Sequence, residues 1–110
     1  MAFDATLKMD NGTAMITLSG ELDASVAQAF RDTIEQAAAQ NASRLVLVMQ
    51  ELEYMSSAGL RVLVFAKQKM SAAVDIYVVG AQEYVVNTLE KVGLDTSLII
   101  QETYAPLQAS

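Results

Sequence analysis

Apolar and polar positions along the chain follow two rhythms. Residues 3–9 (FDATLKM) alternate loosely, and after the turn residues Asp10, Asn11 and Gly12 the run 13–20 (TAMITLSG) alternates more clearly through Met15 and Thr17. A period of two marks strands with one covered face, and a short Asn-Gly connection predicts a β-hairpin. The segment GELD at 20–23 breaks the second strand, and Asp23 is placed to cap a helix over 24–40, where Val26, Phe30, Ile34 and Ala37 recur at helical spacing. RLVLVMQ at 44–50 is a continuous aliphatic run of strand length, the pattern of a central strand, and its place after a helix implies a βαβ crossover.

Residues 57–72 contain no proline and no break after Gly59, which predicts a second helix with Leu60, Leu63, Val64 and Met70 available to one face. VDIYVVG at 74–80 reads as another buried strand. Residues 81–94 carry Tyr84, Val85, Leu89 and Val92 at helical spacing before a stop at Gly93, and TSLIIQE at 96–102 returns as a last strand. A short tail with Pro106 follows, in which a helical turn is expected. The order β-β-α-β-α-β-α-β predicts an α/β domain with a mixed sheet and helices packed on it, one domain over residues 1–110.

Composition narrows the function. A chain of 110 residues, 53% hydrophobic, can bury one core. Seven basic against thirteen acidic side chains leave a net charge of −6, which opposes phosphate backbones and anionic lipid, so neither nucleic acid nor membrane is expected as a partner. No apolar run approaches the ~20 residues of a spanning helix, and the N-terminus lacks the apolar core of a signal peptide. Together with the absence of cysteine this gives a cytoplasmic expectation.

Histidine is absent as well, which removes the usual general base and the usual zinc ligands. No Ser-x-x-Lys spacing occurs around Ser56 or Ser57, and no glycine-rich phosphate loop is present. The carboxylate pairs Glu21 with Asp23 and Glu51 with Glu53 read most simply as solvated acids. The expectation is therefore a protein that is not an enzyme, with no cofactor, no catalytic residue and no metal.

One junction stands apart. In EYMSSAGLRV, residues 53–62, two serines separate a strand pattern from a helix pattern. A serine opening a helix can cap it by accepting a hydrogen bond from an unpartnered first-turn N–H, and that structural role is open to Ser57. The same end of a helix favours an anion, so a phosphate on Ser57 is the alternative role, one that changes the surface charge by about −1.5 to −2.

Taken with its neighbours, this junction resembles that of STAS domains of the anti-sigma factor antagonist (anti-anti-sigma factor) type. The resemblance covers nearly the whole chain and rests on LSGELD at 18–23, RLVLVMQELEYMSSAGLRVLV at 44–64, VVG at 78–80 and LEKVGL at 89–94. The family's central motif commonly reads Asp-Ser-Ser/Thr-Gly-Leu. Laid onto this sequence it puts Ser56 at the Asp position, Ser57 at the phosphorylated serine, Ala58 at the small position, and Gly59 and Leu60 on their counterparts. The resemblance implies partner switching. The unphosphorylated protein binds an anti-sigma factor that is also a serine kinase of the GHKL type, phosphorylation of Ser57 releases it, and a PP2C-like phosphatase restores binding. Ser56, Ser57, Ala58, Gly59 and Arg61 form the implied contact surface, with Glu21 and Asp23 beside it if the two strand-helix junctions share a sheet edge.

Two positions depart from the family pattern. Ser56 replaces an acid and is a second candidate acceptor, and Arg61 stands where a small residue is common, so that it either meets a partner's acid or offsets part of the phosphate charge. Arg61, Lys67 and Lys69, with no acid between residues 57 and 74, give a basic helix face in an acidic chain. The alternative within the same fold is a STAS scaffold or accessory subunit that does not switch, as in stressosome assemblies or lipid transporters.

Overall fold

The computed structural model describes residues 2–105. Its sheet has five strands in the order β1-β2-β3-β4-β5: β1 (Asp4–Asp10), β2 (Thr13–Leu22), β3 (Arg44–Met55), β4 (Asp75–Val79) and β5 (Ile99–Gln101). The first two form the antiparallel hairpin and the remaining neighbours are parallel. Helices α1 (Ala27–Ala39), α2 (Ser57–Lys69) and α3 (Glu83–Lys91) fill the crossovers, and a 3-10 turn over Leu94–Ser97 precedes β5. The mixed α/β architecture expected from the sequence is the one observed. The expected turn at Pro106 lies outside the described residues.

All three helices cover one face of the sheet. Ala14, Ile16 and Leu18 of β2, Leu45, Leu47 and Met49 of β3, and Ile76 and Val78 of β4 alternate onto that face, where they meet Phe30 and Ile34 of α1, Val62 and Leu63 of α2, and Val85 and Leu89 of α3. On the opposite face Tyr77 is buried with Val46 and Val79. Tyr104 closes over Tyr77 edge-on at 5.3 Å, and Arg44 Nη1 donates to the Tyr104 hydroxyl at 3.1 Å.

Several boundaries differ from the sequence reading, and each has a local cause. GELD does not break β2: Gly20 takes a φ of 82° and lets the strand run on to Leu22, and a Cβ there would collide with the Ala2 carbonyl oxygen. β3 continues to Met55 rather than ending at residue 50. Its register slips against β2 between Thr17 and Ser19 and again between Gly20 and Glu21, so residues 17–21 of β2 face residues 48–54 of β3. Bulges of this kind insert residues into one strand only, which puts Met49, Leu52 and Met55 inward at a spacing of three.

Helix α1 begins at Ala27, behind Val26, and no side chain caps it. Asp23 is therefore not its N-cap. Its carboxylate accepts instead from the Ser25 N–H at 2.9 Å and the Ser25 hydroxyl at 2.6 Å, which folds 23–26 into an Asx turn ahead of the helix. At the other end of the chain, β5 keeps only three residues because 94–97 coil into the 3-10 turn.

Candidate functional site

Parallel pairing of β2 with β3 brings their C-terminal ends to one edge of the sheet, as the two-junction expectation required. Leu22 lies opposite Met55, Glu21 lies opposite Tyr54, and the Ser56 N–H donates to the Leu22 carbonyl at 2.9 Å. The start of α2 is thus tied to the end of β2. Glu21, Asp23, Ser57 and Arg61 are all exposed around this edge, whereas Ala58 and Gly59 are buried beneath it.

Gly59 decides how closely the helix sits. A Cβ at this position would lie 2.8 Å from Met55 Cγ and 2.9 Å from Leu22 Cδ2, closer than side-chain carbons approach one another. Glycine lets the first turn of α2 rest against the ends of both strands, and this close seating fixes where Ser57 emerges.

The two serines have different places, and neither is the side-chain cap that the sequence allowed. Ser56, in extended conformation at φ −82° and ψ 174°, holds the N-cap position, and its carbonyl accepts the first helical bond from the Leu60 N–H at 3.2 Å. Ser57 is the first helical residue. The Ser56 hydroxyl makes no capping bond; Oγ is buried and has no hydrogen-bond partner. The Ser57 hydroxyl is exposed and makes no hydrogen bond within the described residues. An unengaged hydroxyl on an exposed first turn is open to an incoming active site, and the N–H groups of that turn have no partners within the helix. Those N–H groups and the helix dipole favour a negative charge at this position.

Asp23 is held below the usual carboxylate range, first by the Ser25 hydroxyl bond and then by the Ser25 and Val26 N–H groups. It is charged at neutral pH. Beyond the residues picked out in the sequence, the fold adds two tyrosines to this edge. Tyr54 at the end of β3 and Tyr84 in the first turn of α3 are 45% and 39% exposed, large side chains to leave open beside the sheet edge. The Tyr84 hydroxyl donates to the Glu53 carbonyl at 2.7 Å, which links α3 to the end of β3. Burial is the main cause that pushes this phenol above its ordinary value of 10.0, with Tyr54 and Glu21 adding to it. Tyr84 was legible only as an apolar helix position, because nothing local in the sequence marks its contact with β3.

On the other side of α2, Ala24, Ala27, Ala58 and Val62 line a groove of about 340 Å³ between α1 and α2, with Arg31 and Arg61 on its walls. Arg31 came from no sequence signal; its guanidinium lies 4.0 Å from the centre of the Phe65 ring. The basic face predicted for α2 does not form one patch at the site. Lys69 lines a separate hollow beside Asp32 and Glu35 of α1, at the far end of the helix. Among the described residues no group of acids could hold a metal ion, and no helix is long and apolar enough to cross a membrane.

This fold and its junction define a family. The model of the STAS domain matches residues 4–108, and the chain belongs to that family. Among curated proteins it is similar to the anti-sigma-F factor antagonist RsfB of Mycobacterium tuberculosis, with 28% identity over 98 residues covering 89% of this chain and 80% of the relative. Among solved structures, an anti-sigma factor antagonist from Mycobacterium paratuberculosis superposes with a TM-score of 0.85 at 22% identity, over 93% of this chain and 87% of that one. SpoIIAA of Bacillus, an anti-sigma factor antagonist solved both unphosphorylated and phosphorylated, gives TM-scores of 0.72 and 0.70 at 22% and 21% identity. The unphosphorylated form covers 94% of this chain and 90% of SpoIIAA; the phosphorylated form covers 88% and 90%.

Proposed function

We propose that the protein is a cytoplasmic anti-sigma factor antagonist, a binding module without catalysis of its own, controlled by phosphorylation of Ser57. The observation that carries this reading is the exposed, unbonded Ser57 hydroxyl on the first turn of α2, at the edge where β2 ends. Support comes also from RsfB, which is named an anti-sigma-F factor antagonist, and from SpoIIAA, for which a phosphorylated form has been solved.

In this reading the unphosphorylated edge, with Ser57, Ala58 and Arg61 on α2, Glu21 at the end of β2 and Asp23 on the turn that follows, docks an anti-sigma factor that is also a GHKL-type serine kinase. Bound ATP and Mg²⁺ belong to that kinase. The Ser57 oxygen forms the new bond to the γ-phosphorus, the bond to ADP breaks, and the hydroxyl proton passes to a base of the kinase. The product carries about −1.5 to −2 on a surface that had offered a neutral contact, and desolvating that charge opposes docking. A PP2C-like phosphatase hydrolyses the ester and restores the contact.

The test is incubation with the cognate kinase and Mg-ATP, phosphosite mass spectrometry, and affinity measured before and after. Phosphate on Ser57 with at least tenfold weaker binding is expected. A complex that is stable and indifferent to modification of Ser57 establishes the scaffold role instead.

A further inference from the structure

Arg61 is four residues from Ser57 on α2. Residues at that spacing lie on one helix face, and long helical side chains lean toward the N-terminus, so the turn that carries Ser57 is within reach of the Arg61 guanidinium. Within the described residues Arg61 is exposed and engaged in neither an ion pair nor a hydrogen bond. The other three cations of the two helices are placed elsewhere: Arg31 is stacked on Phe65, Lys67 stands in the last turn of α2, and Lys69 faces the hollow beside Asp32 and Glu35. Recruiting Arg61 breaks no hydrogen bond or ion pair.

We propose that Arg61 is the internal counter-ion of a phosphate on Ser57, and that forming this pair draws Arg61 off the wall of the α1–α2 groove toward the helix N-terminus. The inference rests on Ser57 being the modified residue. A guanidinium presents a planar fork of donors that fits two phosphate oxygens, a stronger pairing than a point charge gives. Glu21 lies opposite Tyr54 at this edge and Asp23 follows the end of β2, so their carboxylates repel a phosphate there and Arg61 is the cation one helical turn away that can offset it. Phosphorylation then alters two surfaces together. Negative charge appears at the sheet edge, and the groove lined by Ala24, Ala27, Ala58 and Val62 is left with Arg31 as its one arginine.

The experiment uses the full chain with phosphoserine installed at position 57 by encoded incorporation, so no kinase is needed. Phosphorus NMR follows the second ionisation of the phosphate in the parent, in Arg61→Gln, in Arg61→Lys and in Lys67→Gln. Glu21, Asp23, Arg31 and the helix end are common to all four proteins, so differences isolate the changed side chain. Arg61→Gln is expected to raise the phosphate pKa by about half a unit, Arg61→Lys by less, and Lys67→Gln by nothing measurable, with the Arg61 effect shrinking in high salt. Equal titrations of the parent and Arg61→Gln overturn the pairing, as does a rise in Lys67→Gln as large as in Arg61→Gln. A kinase that ignores Ser57, or binding indifferent to its phosphate, sinks partner switching but leaves this titration intact; an unchanged titration removes the pair and leaves switching standing.

Discussion

The Ser56 N–H donates to the Leu22 carbonyl at 2.9 Å, so the residue that opens α2 is held by the last residue of β2. Strand end and helix start form one rigid corner, and the exposed hydroxyl of the next residue inherits its position from that corner. Perturbing the corner and perturbing the hydroxyl should therefore have separable effects.

Gly59→Ala tests the corner. The added methyl meets Met55 and Leu22 at 2.8 and 2.9 Å, and both belong to the packed core. Overpacking of this kind costs about 1–3 kcal/mol. Urea unfolding should show that loss, and partner affinity should fall because the first turn of α2 is lifted off the strand ends. A variant as stable as the parent contradicts the tight seating.

Ser57→Ala tests the hydroxyl. The side chain makes no capping bond, so the cost in stability is below about 0.5 kcal/mol, the ordinary range for an exposed position. Binding to the unphosphorylated-state partner should persist and become insensitive to kinase and Mg-ATP. Folded Ser57→Ala that no longer binds means that the hydroxyl itself is a contact.

Ser56→Ala separates the neighbours further. An N-cap serine normally contributes about 1 kcal/mol through its side-chain bond, but here Oγ is buried with no partner. Removing a buried unsatisfied hydroxyl relieves a desolvation cost of about 1–3 kcal/mol. The variant is expected to melt at or above the parent temperature. A loss of 1 kcal/mol or more shows that Oγ caps the helix in solution.

Much of this corner was legible in the sequence because its signals are local. The alternation through Ile16 and Leu18, the run from Leu45 to Val48, and a helix opening at two serines each follow from side-chain periodicity or backbone chemistry within a few residues. What escaped depends on pairing. The two slips of β3 against β2 replace alternation by the spacing of Met49, Leu52 and Met55, so the strand's extension to Met55 carries no period-two signal. Asp23 has the chemistry of a helix cap, and only the competing Ser25 groups turn it to an Asx turn. Arg31 comes near Arg61 only because α1 packs beside α2, and the contact of Tyr84 with Glu53 spans 31 positions.

That last contact yields a pH prediction. The Tyr84 phenol is raised above its ordinary 10.0, with burial as the leading cause, so in alkali the folded chain holds a proton that the unfolded chain has released. Stability falls wherever the folded state binds more protons than the unfolded state as pH rises. The contribution of Tyr84 is therefore complete below pH 10 and is lost as pH climbs from there through the folded-state value. Tyr84→Phe removes the hydroxyl that bonds the Glu53 carbonyl at 2.7 Å, which costs about 0.5–1.5 kcal/mol at neutral pH. It also removes the titration. Urea midpoints measured from pH 7 to pH 11 should thus show the parent ahead at neutrality and the gap to Tyr84→Phe closing above pH 10. Parallel curves across that range would refute a protonated Tyr84 as the link between α3 and the end of β3.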